Sequence, residues 1–171
     1  YAQAFTMYGL VSWHHATGET AALERAKALF EILEAHARDF EKGGYIEALS
    51  RTWGALDDMR LSDKDLNSPK SYNTMLHVLE AYTALLRAWP DARVREALKT
   101  LLEHLLDKIV YAQPFPHCEL FFDMDWQTLL SKISYGHDIE ASWLFWDAAQ
   151  AVGDEALKAR TRQVALDLAD A

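Results

Sequence analysis

Two histidines occur in the same short motif, His-x-x-Glu-Ala, at His77 to Ala81 and at His137 to Ala141. Residues three apart share one face of a helix, so we expect each glutamate to lie near its own histidine. An imidazole titrates near neutral pH, and a neighbouring carboxylate fixes its tautomer and raises its basicity. Two such histidines facing one cavity would suit a reaction that removes a proton from one side of a substrate and returns one to the other.

Both motifs are also compatible with a purely structural role or with metal binding. A single histidine on an apolar helix is often a hydrogen-bonded core residue, and duplication of a helical hairpin would copy it. A di-metal carboxylate site has the order Glu-x-x-His and needs further glutamates on facing helices, whereas the order here is reversed. The sequence therefore predicts no metal site.

Acidic and aromatic side chains in the loops favour a rival chemistry. Inverting glycosidases built on helical barrels use two loop carboxylates about 6.5–9.5 Å apart. Loop aspartates are also common as solvated charges and turn formers, and loop aromatics either stack on sugar rings or close the end of a barrel. The candidates are Asp57, Asp58, Asp63, Asp65, Asp123 and Asp125 among the acids, and Tyr45, Trp53, Phe121, Phe122 and Trp126 among the aromatics.

The elements that carry these residues are helices, because apolar residues recur at spacings of three and four along most of the chain. Three strongly apolar helices are predicted, each followed by a short break and a more charged helix with one apolar stripe. The apolar helices span Tyr1–Ala16, Tyr72–Ala88 and His137–Ala151, and the charged ones begin near Ala21, Ala92 and Ala156.

Long connections at 39–70 and 111–136 alternate with the short breaks and are expected to build one functional face of the molecule. Within them Gly43–Ala48 and Glu119–Asp123 each predict a short strand or hairpin. An inner and an outer ring of helices describe an all-α toroid, and three hairpins would make a partial (α/α)6 barrel. A free-standing six-helix bundle is the alternative.

Composition excludes several classes of partner. The 171 residues contain 17 Lys and Arg against 26 Asp and Glu, a net charge of −9, which argues against nucleic acid or an anionic membrane as partner. No apolar run approaches the roughly 20 residues that span a bilayer. The single cysteine, Cys118, cannot form an internal disulfide, so we expect a reducing, cytoplasmic setting.

The helical pattern is already under way at Tyr1 and continues to Ala171. We therefore expect residues 1–171 to form a single partial-barrel domain that is truncated at both ends.

Two segments resemble the N-acylglucosamine 2-epimerase family. Ser71–Tyr82, SYNTMLHVLEAY, is similar to one signature helix of that family, and Ser134–Leu144, SYGHDIEASWL, is similar to a second. The resemblance covers essentially the whole chain and is closest to the cellobiose 2-epimerases within the family. It implies an (α/α)6 barrel with its site at the loop end.

The resemblance implies epimerisation at C2 of the reducing-end glucose of β-1,4 disaccharides such as cellobiose. The sugar ring opens, the C2 proton is removed, and the resulting enediolate is reprotonated on its opposite face. Mannose/fructose-type isomerases and N-acylglucosamine 2-epimerases share the scaffold and stay open as alternatives. The partner would be a small-molecule sugar, with no redox cofactor. Family members take their other acid/base histidine from a part of the barrel beyond these residues, so the 171 residues alone are expected to be inactive.

The resemblance also implies roles for individual residues. His137 would be one of the two general acid/base residues, and His77 would help to open the ring and hold substrate oxygens. Asn73 and Glu140 would orient the sugar and the imidazole. The aromatic pocket residues would be Tyr1, Phe5 and Trp126. Outside this family, a non-catalytic helical-repeat module would show no turnover and would bind a protein partner through a surface patch.

Overall fold

A computed structural model of the chain describes residues 1–60 and 62–171, and this part folds into three antiparallel helical hairpins. A π-helical turn, Leu105–Ile109, extends the fourth helix. The predicted helices are present, and their bounds differ from the expected ones by at most two residues. They are α1 Ala2–Thr17, α2 Thr20–His36, α3 Tyr72–Ala88, α4 Ala92–His104, α5 Tyr135–Val152 and α6 Glu155–Asp170.

The short breaks are encoded locally. Gly18 and Gly153 end α1 and α5 in the left-handed conformation, at φ 73° and 81°, where a residue without Cβ carries no steric penalty. The outer helices begin with acidic N-caps whose carboxylates accept a backbone N–H of the first turn. These caps are Glu19, Asp91 and Asp154.

The helices α1, α3 and α5 lie side by side, with α3 between the other two, and each packs against the outer helix that follows it. The central helix α3 is buried on several faces, as its apolar composition predicts. The edge helices α1 and α5 leave large side chains exposed, namely Phe5, Tyr8, Trp13, Tyr135, Ile139 and Trp143. The chain thus forms an arc of an (α/α)6 barrel, which confirms the predicted fold class.

Four two-residue strands organise the long loops. The strand β1, Lys70–Ser71, pairs antiparallel with β4, Phe121–Phe122, and this pair joins one long loop to the other. The strands β2, Val110–Tyr111, and β3, His117–Cys118, form a local hairpin. Because β1 leads directly into α3, the β1–β4 pair holds the second loop over the start of that helix.

The predicted local hairpins are therefore only partly right. Phe121–Phe122 is a strand whose ladder partner is the distant Lys70–Ser71, and within its own loop Phe122 forms only an isolated bridge with Thr128. Gly43–Ala48 forms no ladder and contributes only a single bridge between Arg38 and Tyr45. Alternation of side chains along a segment predicts extended backbone, but it carries no information about a partner distant in the chain.

Candidate active site

His77 lies on the second turn of α3 with only about a tenth of its surface exposed. Its Nδ1 is 3.1 Å from Oε2 of Glu80, so the contact expected from the i, i+3 spacing is present. A carboxylate accepts hydrogen bonds, so this contact favours the proton on Nδ1 and leaves Nε2 free for other chemistry.

Two aromatic residues from the start of α1 surround this imidazole. The ring centroids of Tyr1 and Phe5 lie 5.4 and 4.6 Å from that of His77, and the two aromatic rings are 4.9 Å from each other. Phe5 remains 40% exposed, so one side of the cluster is open. The structure therefore brings together three of the residues that the sequence singles out, from two neighbouring inner helices.

His137 lies in the first turn of α5 and is partly exposed. Its Nδ1 is 2.8 Å from Oγ of Ser134, the N-cap residue of the same helix. The hydrogen-bond partner of Nδ1 is therefore Ser134, and the orienting role expected of Glu140 stays a prediction. A side chain in the first turn of a helix leans toward the N-terminus, which brings the His137 ring within reach of the N-cap hydroxyl.

Asn73 and His137 line one cavity of about 170 Å³, between the start of α3 and the start of α5. Asn73 belongs to the first turn of α3, directly after the N-cap Ser71, whose Oγ accepts the N–H of Thr74 at 3.1 Å. The remaining residues that line this cavity are Asp65, Ser71, Leu120 and Phe121. The cavity therefore lies where the two long loops meet the starts of α3 and α5.

The structure places Asp65 and Ser134 at this site, although the sequence alone assigns neither of them a role there. In the sequence Asp65 is only one member of an acidic cluster, and Ser134 is only part of a signature. A serine one helical turn before a first-turn histidine is a detectable signal, because an N-cap hydroxyl lies within reach of the i+3 side chain. The signal for Asp65 is tertiary, since a loop folds it against α3.

A larger cavity of about 360 Å³ adjoins Tyr1, between the starts of α1 and α3 and the first long loop. Its acidic group is Glu47, which accepts a hydrogen bond from Oγ of Ser71 at 2.5 Å. Burial raises the pKa of Glu47, although the hydrogen bond from Ser71 acts in the opposite direction. Because Ser71 also lines the cavity of His137, the two cavities are neighbours.

Trp126 is not presented to either cavity. Only 7% of it is exposed, its indole N–H donates to the carbonyl of Lys42 at 2.8 Å, and its ring packs on Phe122. The Nζ of Lys70 lies over its ring at 4.6 Å from the centroid. The predicted role of Trp126 in sugar stacking is therefore inconsistent with the structure, because its faces are already covered by protein.

Asp58 and Asp123 do not have the environment of a pair of glycosidase carboxylates. The Arg60 side chain lowers the pKa of the exposed Asp58 to about 2, whereas a general acid needs a raised value. Asp123 accepts the backbone N–H groups of Asp125 and Gln127 with Oδ1, as a turn-forming residue does. These carboxylates shape the loops.

Two further properties concern residues 1–60 and 62–171. In this part of the chain no helix combines the length and the apolar character needed to cross a membrane. Within the same ranges no group of three or more His, Cys, Asp or Glu side chains is arranged to hold a metal ion.

The fold and the loop-end site together define a protein of the (α/α)6-barrel class. The chain belongs to the N-acylglucosamine 2-epimerase family, whose model matches residues 1–170. A cellobiose 2-epimerase from Bacteroides fragilis is 47% identical over 171 residues, which are all of this chain and 43% of that protein.

Solved structures agree with this membership. The structure of a cellobiose 2-epimerase from Bacillus thermoamylovorans matches with a TM-score of 0.90 at 34% identity, over 99% of this chain and 43% of that one. The crystal structure of a sugar epimerase from a ruminal bacterium matches with a TM-score of 0.91 at 36% identity, over 98% and 42%. The chain therefore spans less than half the length of these relatives.

Proposed function

We propose that this chain carries part of the active site of a carbohydrate 2-epimerase that acts on the reducing-end glucose of β-1,4 disaccharides such as cellobiose. The observation that carries the proposal is the placement of His137. Its Nδ1 is occupied by Ser134, and the imidazole lines a cavity that also holds the polar side chains of Asn73 and Asp65. The relatives named cellobiose 2-epimerases support the substrate class.

The reaction begins with the opening of the sugar ring. A base takes the proton of the anomeric hydroxyl, the C1–O5 bond breaks, and an acid protonates O5, which leaves an aldehyde at C1. We assign this exchange to His77, whose Nδ1 contact with Glu80 leaves Nε2 free. Tyr1 and Phe5 shield one side of the imidazole and offer flat surfaces to a sugar ring.

Epimerisation then proceeds through the open-chain sugar. His137 takes the C2 proton, the C–H electron pair forms the C1–C2 double bond, and the C1 oxygen becomes the enediolate oxyanion. Protonation of C2 from the opposite face restores the aldehyde with inverted configuration, and the ring closes again. We propose that Asn73, Asp65 and Glu140 hold the hydroxyls, and that a second acid/base histidine lies outside residues 1–171.

The test is deuterium incorporation. Because the chain spans 43% of its Bacteroides fragilis relative, turnover is measured in a chimera in which residues 1–171 replace the matching segment of that protein. Cellobiose in deuterated water is followed by NMR. We expect deuterium at C2 and a mannose-type reducing end from the chimera, and no turnover from residues 1–171 alone.

Variants of the chimera separate the alternatives. His137→Asn is expected to abolish deuterium incorporation, whereas His14→Asn, whose imidazole contacts the Glu19 carbonyl at the opposite end of α1, is expected to leave it unchanged. A ketose product labelled at C1 would favour an isomerase, and free glucose would favour a glycosidase. Wild-type turnover by His137→Asn would contradict the assignment of the proton transfer.

We also propose that the partner of this protein is a small-molecule sugar and that the protein acts in the cytoplasm. The location is supported by Cys118, which is buried and has no disulfide partner in the described residues. Cell fractionation of the native host with an antibody against residues 1–171 would test it, and recovery outside the cytoplasmic fraction would contradict it.

A further inference from the structure

Three buried residues hold the turn of α5 that carries His137. The Oδ1 of Asp138 accepts the backbone N–H of Cys118 in β3 at 2.8 Å, across 20 residues of chain. The hydroxyl of Tyr72, the first residue of α3, donates to the backbone carbonyl of His137 at 3.0 Å. We name Tyr72, Cys118 and Asp138 the α5 clamp, because they fix this turn to a strand and to the central helix.

These bonds run between elements rather than within α5. A carboxylate in the first turn of a helix is stabilised by the free N–H groups of its own helix. Asp138 lies in that turn, yet its Oδ1 is directed at β3 and its residue is only 3% exposed. The Asp138 side chain therefore docks α5 against β3 instead of capping α5.

The clamp bonds lie in buried surroundings. Tyr72 and Cys118 are fully buried, and Asp138 is only 3% exposed. Hydrogen bonds in such buried surroundings restrict position strongly, because an unmade bond leaves a desolvated polar group.

We propose that Asp138 and Tyr72 are positioning residues for His137, which they act on through the backbone of α5 without touching the substrate. The Tyr72 hydroxyl fixes the backbone carbonyl of His137, and the Asp138 side chain fixes the following residue to β3. With the backbone fixed at both points, Nδ1 of His137 stays within 2.8 Å of Ser134 Oγ and the opposite edge of the ring stays directed away from it. The catalytic consequence rests on the proposed function, whereas the effect on the imidazole does not.

The groups that surround Asp138 are few and can be named. The thiol of Cys118 and its backbone N–H contact the carboxylate, and the imidazoles of His117 and His137 act on it through their charge. Burial raises the pKa of Asp138, and the Cys118 contacts act in the opposite direction. Asparagine at this position keeps an oxygen that can accept the Cys118 N–H but removes the charge, which makes it a suitable conservative variant.

The first measurement uses residues 1–171 and requires no turnover. Long-range ¹H–¹⁵N spectra of the histidine rings report which ring nitrogen carries the proton. The Ser134 hydroxyl can donate to Nδ1 or accept from it, so the wild type supplies the reference ratio of the two tautomers. We expect that ratio to change in Asp138→Ala and in Tyr72→Phe, and Asp138→Asn should restore the wild-type ratio. As matched control, Asp154→Ala removes a carboxylate bond to the N–H of Leu157 in α6 together with the ion pair to Lys99, and it should leave the His137 signals unchanged.

The second measurement is kcat and KM of the chimera. We expect Asp138→Ala to lower kcat by about 10²-fold with little change in KM, since misplacing a reacting group by about 1 Å costs that much. Asp138→Asn should recover most of the loss, and Asp154→Ala should leave kcat unchanged. Should Asp138→Ala fail to fold, Tyr72→Phe, which removes a single hydroxyl, carries the same expectations.

A wild-type tautomer ratio in the folded Asp138→Ala and Tyr72→Phe variants would overturn the proposal, and so would unchanged kcat in active chimeras of both. An inactive wild-type chimera would count against the proposed function alone, because the tautomer measurement still decides whether the clamp orients His137.

Discussion

Replacement of Lys70 by methionine tests how the loop face is anchored to α3. The Lys70 side chain is fully buried, and its Nζ donates to Asp39 Oδ2 at 2.7 Å and to the carbonyl of Met124 at 3.1 Å. Methionine keeps the length of the side chain but removes the charge. Asp39, whose side chain is 7% exposed, then loses its ionic partner in a site that water hardly reaches.

The structure sets the size of the effect. Removing one partner of a buried ion pair lowers the free energy of unfolding by about 3–5 kcal/mol. Asp39 keeps hydrogen bonds from the N–H groups of Glu41 and Lys42, each at 3.0 Å, so the lower end of that range, about 3 kcal/mol, applies. With a urea m-value of about 2 kcal/mol/M, the midpoint of unfolding should fall by about 1.5 M.

The assay is urea unfolding of residues 1–171 followed by circular dichroism. Lys42→Met is the matched control, because the Lys42–Asp125 pair is nearly as short, at 2.8 Å, but its side chains are 52% and 64% exposed. Its midpoint should hardly change. The double variant Asp39→Asn, Lys70→Met should recover a large part of the loss. A Lys70→Met midpoint equal to that of Lys42→Met would show that the buried Lys70–Asp39 pair does not stabilise the fold.

The same variant should depend on pH in a defined direction. Burial acts to raise the pKa of Asp39, but hydrogen bonds from Lys70, Lys42 and Glu41 outweigh it and lower the pKa below its usual 3.8. A lowered carboxyl pKa contributes stability that is present above the unfolded-state value and lost as the pH falls through the folded-state value. The cost of Lys70→Met should therefore shrink in acid.

Two further predictions concern stability near the site. Burial raises the pKa of Glu47 above its unfolded-state value of about 4.5. Ionisation of Glu47 therefore lowers the free energy of unfolding as the pH rises from the unfolded-state pKa through the higher folded-state pKa. The free energy of unfolding of Glu47→Gln, relative to that of the wild type, should therefore increase between pH 4 and pH 7.5. An equal difference between variant and wild type at both pH values would contradict this. Gly43→Ala drives a Cβ into the imidazole ring of His104 at φ +80°, and should cost about 1–2 kcal/mol in urea unfolding. Gly9→Ala, with open space around it in α1, should be neutral or stabilising, and equal effects of the two would exclude a steric cause.

Much of the fold was predictable because its signals are local. Helix bounds follow from apolar spacing, from glycines such as Gly18 and from caps such as Asp91, all of which act within one or two turns. The strand at Phe121–Phe122 was also predictable, but its pairing with Lys70–Ser71 was not. That pairing depends on how two loops meet across α3, which no local pattern encodes.

The contacts of the site also divide into those that the sequence predicts and those that depend on packing. The His77–Glu80 contact follows from helical spacing, so the sequence is sufficient to predict it. The partner of His137 depends on where α5 begins, because a first-turn side chain reaches back to the N-cap Ser134 instead of Glu140. Trp126 is an aromatic loop residue in sequence, and only the approach of Lys70 and Phe122 turns it into core.

The amino-acid sequence predicts helical hairpins and two His-x-x-Glu motifs near the starts of two apolar helices, since helix formation and repeat spacing are properties of neighbouring residues. The packed structure is needed to show which groups hold the two imidazoles, which loop residues line the cavities, and that Asp138 docks α5 on β3 instead of capping its own helix. These features are contacts between segments far apart in the chain, and their geometry exists only after the segments have packed.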